Sequence, residues 1–348
     1  MLTVYKKILS YVPKERYLAY IGILLSMLSV VFKVWGYYYL SKFLIEIIVY
    51  NNIENAKYYG FCIVGLLIIG ITLYGIAGLV THVLGFRLET NLRKAGISHL
   101  MKASFSFFDV NESGRIRKII DDNASDTHMI VAHLIPDITV AIVTPILLFV
   151  IMFSVDVYLG IATVILTILS AIFTKLMYGD IKFMDKYNKS LERVNSESVE
   201  YVRGMQVLKI FGITVRSYKS LLDAILQYSK NTYEYSLSCR KPYVSFQTLF
   251  NTYYLICIPC SMYFITKGEQ AGMILAKVIF FTCFSGVIFS SFMKVMFASQ
   301  NNFNAGQVID RLENLIDGMK NEKLEHGERK EFKHYDIEFD RVFFKYDE

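Results

Sequence analysis

The sequence predicts an all-α membrane protein with six transmembrane helices and two long cytoplasmic helical hairpins. Three observations carry that prediction. The 348 residues are 54% hydrophobic and 15% aromatic, and the mean hydropathy is +0.37, too apolar for a soluble domain of this length. The apolar residues form spans long enough to cross a bilayer. The basic residues, which leave a formal net charge of +6, recur in alternate loops, as they do in multi-pass proteins that keep positive charge on one side. A nucleic-acid-binding protein would pool those charges in one patch, so that partner is excluded.

Residues 2 to 12 place Leu2, Tyr5, Leu9 and Val12 at helical steps beside Lys6 and Lys7, a pattern that suits an interfacial elbow helix. The span from Tyr17 to Val49 is longer than a signal-peptide core and lacks a small-residue cleavage pattern, so it reads as the first membrane helix. The second span begins near Tyr58 and carries Gly60, Gly65, Gly70, Gly75 and Gly78, which let helices approach closely in lipid. Its stripe continues through Leu84, Leu88, Leu92 and Ala95 between Arg87, Arg93 and Lys94, so the helix extends into the cytoplasm towards Phe107.

Phe107 to Asn123 is short and polar, and it lies between two hydrophobic spans. Asn111, Glu112, Ser113 and Gly114 supply turn and cap chemistry, and Ile116, Ile119 and Ile120 give a helix of one to two turns an apolar stripe. Such a helix, presented far from a membrane, is expected to meet a partner. The third span, Ile135 to Val155, and the fourth, Val157 to Tyr178, are joined by a tight turn without bases that belongs outside.

From Lys175 to Lys241 the pattern repeats as a second hairpin. Met184, Tyr187, Leu191, Val194, Ser198 and Tyr201 share one stripe; Tyr218, Leu221, Ile225, Tyr228, Thr232 and Tyr235 share another. Two antiparallel amphipathic helices follow, reaching about 33 Å below the bilayer at 1.5 Å per residue. Their tip, YVRGMQVLKIF from Tyr201 to Phe211, is a second contact element. Spans five, Val244 to Thr266, and six, Met273 to Ser299, complete the set, and the sorted basic loops place both termini in the cytoplasm. Beyond them, Ala305 to Leu315 continues as an amphipathic helix, a charged linker follows, and Ile337, Phe339 and Val342 to Tyr346 read as a strand. The domain division is therefore 1–316 membrane domain, 317–334 linker, 335–348 strand.

The five cysteines lie mostly in apolar spans and imply no disulfide framework; Cys257 and Cys260 share a helix face as packing residues rather than as a metal or redox pair.

Together these segments resemble ATP-binding cassette (ABC) transporters of the exporter type. The Phe107–Asn123 loop is similar to the family's first coupling helix, YVRGMQVLKIF to its second intracellular loop, AGQVIDRLENL to the segment leaving the sixth helix, and IEFDRVFFKY to the first strand of the cassette. The resemblance implies a half-transporter that pairs with a second copy or a paralogue in a domain-swapped dimer. It also implies coupling to nucleotide-binding domains through Asn111, Glu112, Ser113, Gly114, Arg115, Arg203 and Gly204, adenine stacking on Tyr346, and ATP with Mg²⁺ in the complete transporter. A bacterial cytoplasmic membrane and a small-molecule substrate are implied as well.

The chain departs from many family members in having Ile119 and Asn123 where they carry Arg and Asp. With HLIPD at 133–137 and Pro145, its pattern is most similar to siderophore-uptake members, which import on an exporter scaffold; a drug, lipid or peptide exporter is the alternative. No G-x-x-x-x-G-K-[ST] phosphate loop occurs, so these residues alone cannot hydrolyse ATP. The expectation is a chain truncated after the first cassette strand, with a motor on a separate polypeptide as the other possibility. A channel, or a regulatory subunit that does not itself transport, could use the same scaffold.

Charged residues inside a membrane are costly and presumed functional until partnered. Lys33 in the first span, Lys294 in the sixth and Asp137 at the inner end of the third are therefore substrate-cavity candidates, with His133 beside them. Ion pairing and snorkelling are the plain alternatives. His82, His128 and His133 are far apart in sequence and are read as structural, with no metal site expected.

Overall fold

Apolar runs in lipid must satisfy their own backbone groups, and helices do so within one segment; nearly every described residue is accordingly helical. The computed structural model describes residues 2–177, 181–211, 218–251, 253–321, 336 and 338–343. Five helices among them are long and apolar enough to cross a membrane: Arg16–Ile48, Ile53–Leu100, Ser113–Val155, Val157–Leu176 and Ala271–Ala298. The expected fifth span contains the shorter apolar helix Cys257–Thr266, while residue 252 within that span lies outside the described residues.

Helix α1 (Leu2–Ser10) leads into α2 (Arg16–Ile48), which pairs with α3 (Ile53–Leu100). The turn between them is set by Asn51 at φ 50 and by Asn52, whose side chain accepts from the Asn55 amide at 3.2 Å and caps α3. Of the five glycines of the second span, Gly70 makes a tight interhelical approach: a Cβ there would sit 3.0 Å from the Ser29 carbonyl oxygen, whereas at Gly65, Gly75 and Gly78 it would meet nothing within 4 Å. Gly60 also faces α2, but a Cβ there would make only ordinary contact with Phe43 at 3.8 Å, so the close-approach role falls to Gly70. Beyond the membrane-length portion, Leu84, Leu88 and Leu92 are fully buried, as the stripe predicts.

The first hairpin differs from expectation. A short helix does form, but it is α4 (Phe105–Val110), upstream of the glycine; Asn111 and Glu112 are the break. The segment expected to be one to two turns is instead the start of one long limb: α5 (Ser113–Arg117), a π-helical stretch at Lys118–Asp122, α6 (Asn123–Met129), a second π stretch at Ile130–Leu134, and α7 (Ile135–Val155). The reason is continuity of the buried stripe. Ile116, Ile119, Ile120, Ala124, Val131 and Leu134 all face one core, and no breaker interrupts them. Pro136 cannot donate to the Ala132 carbonyl and its ring crowds that oxygen. The π stretch opens the ladder there, and Thr81 Oγ1 donates to Ala132 O at 2.8 Å in its place.

Helix α8 (Val157–Met177) follows α7 directly. Asp156 caps it, accepting from the Leu159 amide at 3.0 Å, and also pairs with Lys277 at 2.8 Å, pinning this turn to the last long helix. The second hairpin is α9 (Ile181–Arg203), α10 (Met205–Ile210) and α11 (Lys219–Asn251). Its seam is the expected tyrosine ladder: Tyr187 lies 5.6 Å from Tyr228 and 5.7 Å from Tyr235, and Tyr201 lies 5.6 Å from Tyr218. Helix α12 (Tyr253–Thr266) precedes α13 (Ala271–Asn321), which runs unbroken through the first residues of the expected linker.

Two cores result. One gathers α1, lower α3, the first hairpin and the end of α13 around Phe107, Ile309 and Leu312; the other gathers α7, α8, α12 and upper α13 around Leu148, Phe280 and Ile288. At the C-terminus, the described residues 336 and 338–343 form no strand, and Arg341 sits at φ 48. A strand needs a neighbouring ladder, and no strand lies beside this segment among the described residues. Tyr346 and residues 322–335 of the linker are outside the described residues.

Candidate functional site

Three of the charged residues singled out within the spans come together. Lys33 projects from α2, Asp137 from the first turn of α7 and Lys294 from α13, and the group that joins them is Tyr74 of α3. The Tyr74 hydroxyl donates to Asp137 Oδ1 at 2.6 Å, Lys294 Nζ lies 3.4 Å from the same oxygen, and Lys33 Nζ stands 4.9 Å from the centre of the Tyr74 ring. Gly70, one turn above Tyr74, makes room: a Cβ there would fall 2.7 Å from Lys33 Cγ. The Lys33 stem thus crosses Gly70 and delivers its ammonium to the electron-rich ring face.

Lys294 alone pairs with the carboxylate while Lys33 faces the Tyr74 ring, so the cluster holds two lysines and one acid, a surplus of positive charge. Lys294 and Asp137 are 44% and 36% exposed, so the rest of the chain leaves the pair uncovered. Such a group can bind an anion, and the loose 3.4 Å pair is the natural place for one to compete. Tyr74 was invisible in the sequence because one tyrosine among 25 carries no spacing signal.

His133 lies elsewhere. It is exposed, with its ring 4.8 Å from His82, and His82 is 5.3 Å from His128. Histidines far apart in sequence meet because α3 and the returning limb are antiparallel. His128 is buried, and its Nδ1 has no hydrogen-bond partner; Glu89 Oε2 is 3.7 Å away. Glu89 is held by Arg93 at 2.7 Å, and Arg93 also binds Asp121 at 2.6 Å. Gly85 permits this packing, since a Cβ would stand 2.8 Å from His128 Nδ1. Among the described residues, no three His, Cys, Asp or Glu side chains are placed to hold a metal ion.

The two hairpin ends differ in character. In the first, Asn111 Nδ2 donates to Phe107 O at 3.0 Å, Glu112 makes no side-chain cap, and Ser113, Gly114 and Arg115 form the first turn of the long limb. A cavity of about 400 Å³ separates Arg115, Lys118 and Asn123 from Arg311 and Asn314 of α13. In the second, Arg203 pairs with Glu200 at 3.1 Å, and Gly204 breaks α9 from α10. Val207, Ile210 and Phe211 are 57%, 80% and 73% exposed, an uncovered apolar end among the described residues.

A family model described as the ABC transporter transmembrane region matches residues 19–341. The chain is 31% identical over 169 residues to the mycobactin import ATP-binding/permease protein IrtA of Mycobacterium tuberculosis, covering 47% of this chain and 19% of that protein. It is 25% identical over 146 residues to the protein of the same name from Mycolicibacterium smegmatis, covering 41% and 17% respectively. It is also 25% identical over 134 residues to the uncharacterized ABC transporter ATP-binding protein YwjA of Bacillus subtilis, covering 38% and 23%. The matched stretch spans less than a quarter of each relative's length.

Proposed function

The chain belongs to the family of ABC transporter transmembrane regions, and on that premise we propose that it forms half of an alternating-access pathway that takes up an anionic iron chelate across a bacterial cytoplasmic membrane. The surplus ammonium at Lys33, Tyr74, Asp137 and Lys294 carries this reading, and the printed names of two relatives, mycobactin import proteins, support the direction and substrate class. A second copy or a paralogue completes the pathway as a domain-swapped dimer, with both termini cytoplasmic.

No residue set here fits nucleotide phosphates: the sequence has no phosphate loop. ATP and Mg²⁺ would belong to cassette domains that dock at the two hairpin ends, with Arg203, Gly204 and the exposed Ile210 and Phe211 on one and Asn111 to Arg115 on the other. The chain's own contribution is mechanical and electrostatic. Arg115 and Asp137 lie on one helical limb, about 33 Å apart at 1.5 Å per residue, and Lys294 lies on a helix that runs to Asn321. Rigid rocking of these limbs changes the Asp137–Lys294 separation and so exposes or withdraws the ammonium groups.

The test is the chelate-stimulated ATPase of the complete transporter in nanodiscs. Lys33→Gln and Lys294→Gln should each raise the half-saturating chelate concentration roughly 10- to 100-fold, the value of a lost charged hydrogen bond, with basal ATPase and expression unchanged. An unaltered chelate response in both variants would reject the cluster as the binding site.

A further inference from the structure

A groove of about 750 Å³ runs between α1, the start of α2 and the start of α7. Its length is apolar, with Ile23 on one wall and Ile138 and Ile142 on the other, and Lys6 and Arg16 stand at its rim. The two adjacent lysines of α1 are treated oppositely. Lys7 turns to α13 and is neutralised by Asp310 at 3.0 Å and Glu313 at 2.8 Å, whereas Lys6, on the groove side, has no acidic partner among the described residues. Arg16 gives its Nε to the Leu9 carbonyl at 2.8 Å, which fixes the guanidinium in place without balancing its charge. Tyr5 completes the wall, and its hydroxyl is buried without a partner, although buried polar atoms ordinarily have one.

An apolar trough closed by two uncompensated cations and a hydroxyl in want of a partner is complementary to an amphiphile with an anionic head. The amphipathic α1 places that rim at a membrane surface, and a volume of this size falls within the range of ligand sites. We propose that the groove seats an anionic phospholipid from the leaflet on which α1 lies, with its phosphate at Lys6 and Arg16 and an acyl chain along Ile23, Ile138 and Ile142. The seat lies on the same first turns of α7 that carry Asp137, so lipid occupancy braces the limb that holds the candidate cluster.

Trp35 is the single tryptophan, which allows a local reporter. The full chain carrying Trp35→Phe and Tyr20→Trp is placed in phosphatidylcholine nanodiscs doped with brominated phosphatidylglycerol or, in parallel, with the same amount of brominated phosphatidylcholine. Quenching by the anionic lipid should be severalfold stronger. Lys6→Gln should lower its apparent affinity about fivefold, as expected for one interfacial basic residue, while Lys7→Gln should leave it unchanged. Equal quenching by the two lipids overturns the proposal, as does an equal loss on Lys7→Gln, which would mark a diffuse surface charge. Relief of quenching by inorganic phosphate at constant ionic strength also overturns it, pointing to a free-anion site. So does the absence of quenching by either lipid, which would mean that protein covers the groove.

Discussion

The hydroxyl of Tyr74 donates to Asp137 at 2.6 Å, so a carboxylate on α7 is held by α3 while it faces Lys294 of α13. Removing the carboxylate leaves Lys294 without its counter-charge while Lys33 still stands on the neighbouring Tyr74 ring, an outcome worse than losing either cation. Asp137→Asn should therefore lower the thermal unfolding temperature in detergent more than Lys294→Gln does. The double variant should be less damaged than Asp137→Asn alone; strict additivity would show that the two residues are not coupled.

Gly85 and Gly75 offer a matched pair of substitutions. A methyl at Gly85 meets His128 Nδ1 at 2.8 Å and the His128 carbonyl oxygen at 3.1 Å, while a methyl at Gly75 meets nothing within 4 Å. Gly85→Ala should destabilise by about 1–3 kcal/mol through overpacking, and Gly75→Ala should be neutral within about 0.5 kcal/mol. Equal unfolding temperatures for the two variants would contradict the packing described for the α3 and α6 contact.

Lys7 is held above the ordinary lysine range by its hydrogen bonds to Glu313 first and Asp310 second. A raised folded value means that the contribution of the contact is full below the ordinary lysine value and fades only as the pH climbs through the raised one. Hydrogen exchange of residues 2–10 should therefore show an α1 whose docking persists across neutral and mildly alkaline pH and loosens in strong alkali. Because the contact is exposed, Lys7→Gln should reduce protection only slightly at neutral pH and leave α1 docked, and Lys6→Gln should not change it.

The exposed end of the second hairpin makes a sharper demand. Apolar anchors at interface centres typically account for 2 kcal/mol or more when truncated, so Phe211→Asp should weaken capture of a cassette-bearing partner by at least about 30-fold without changing the helical content. Full retention in a pull-down would remove this end from the docking surface.

What was legible in the sequence was whatever a single helix states about itself. The third and fourth spans begin where the apolar runs begin, and the tyrosine seam of α9 and α11 follows from spacing alone. Relations between helices were less legible. Lys294 and Asp137 are 157 residues apart, and only the packing of α13 on α7 shows that they are one pair. Tyr74 and the meeting of His82, His128 and His133 were hidden for the same reason. The first hairpin departs from expectation because the break falls at Asn111 and Glu112, and the isoleucine stripe from Ile116 onward then continues into the long limb instead of ending after one or two turns.

The most direct measurement is uptake itself. Inside-out and right-side-out vesicles containing the complete transporter are loaded with ATP on the cassette side and given a radio-iron-labelled anionic chelate on the opposite side. ATP-dependent accumulation is expected on the cytoplasmic side, falling roughly 10- to 100-fold in Lys33→Gln at sub-saturating chelate. Movement in the opposite direction, or accumulation indifferent to Lys33→Gln, would contradict that expectation.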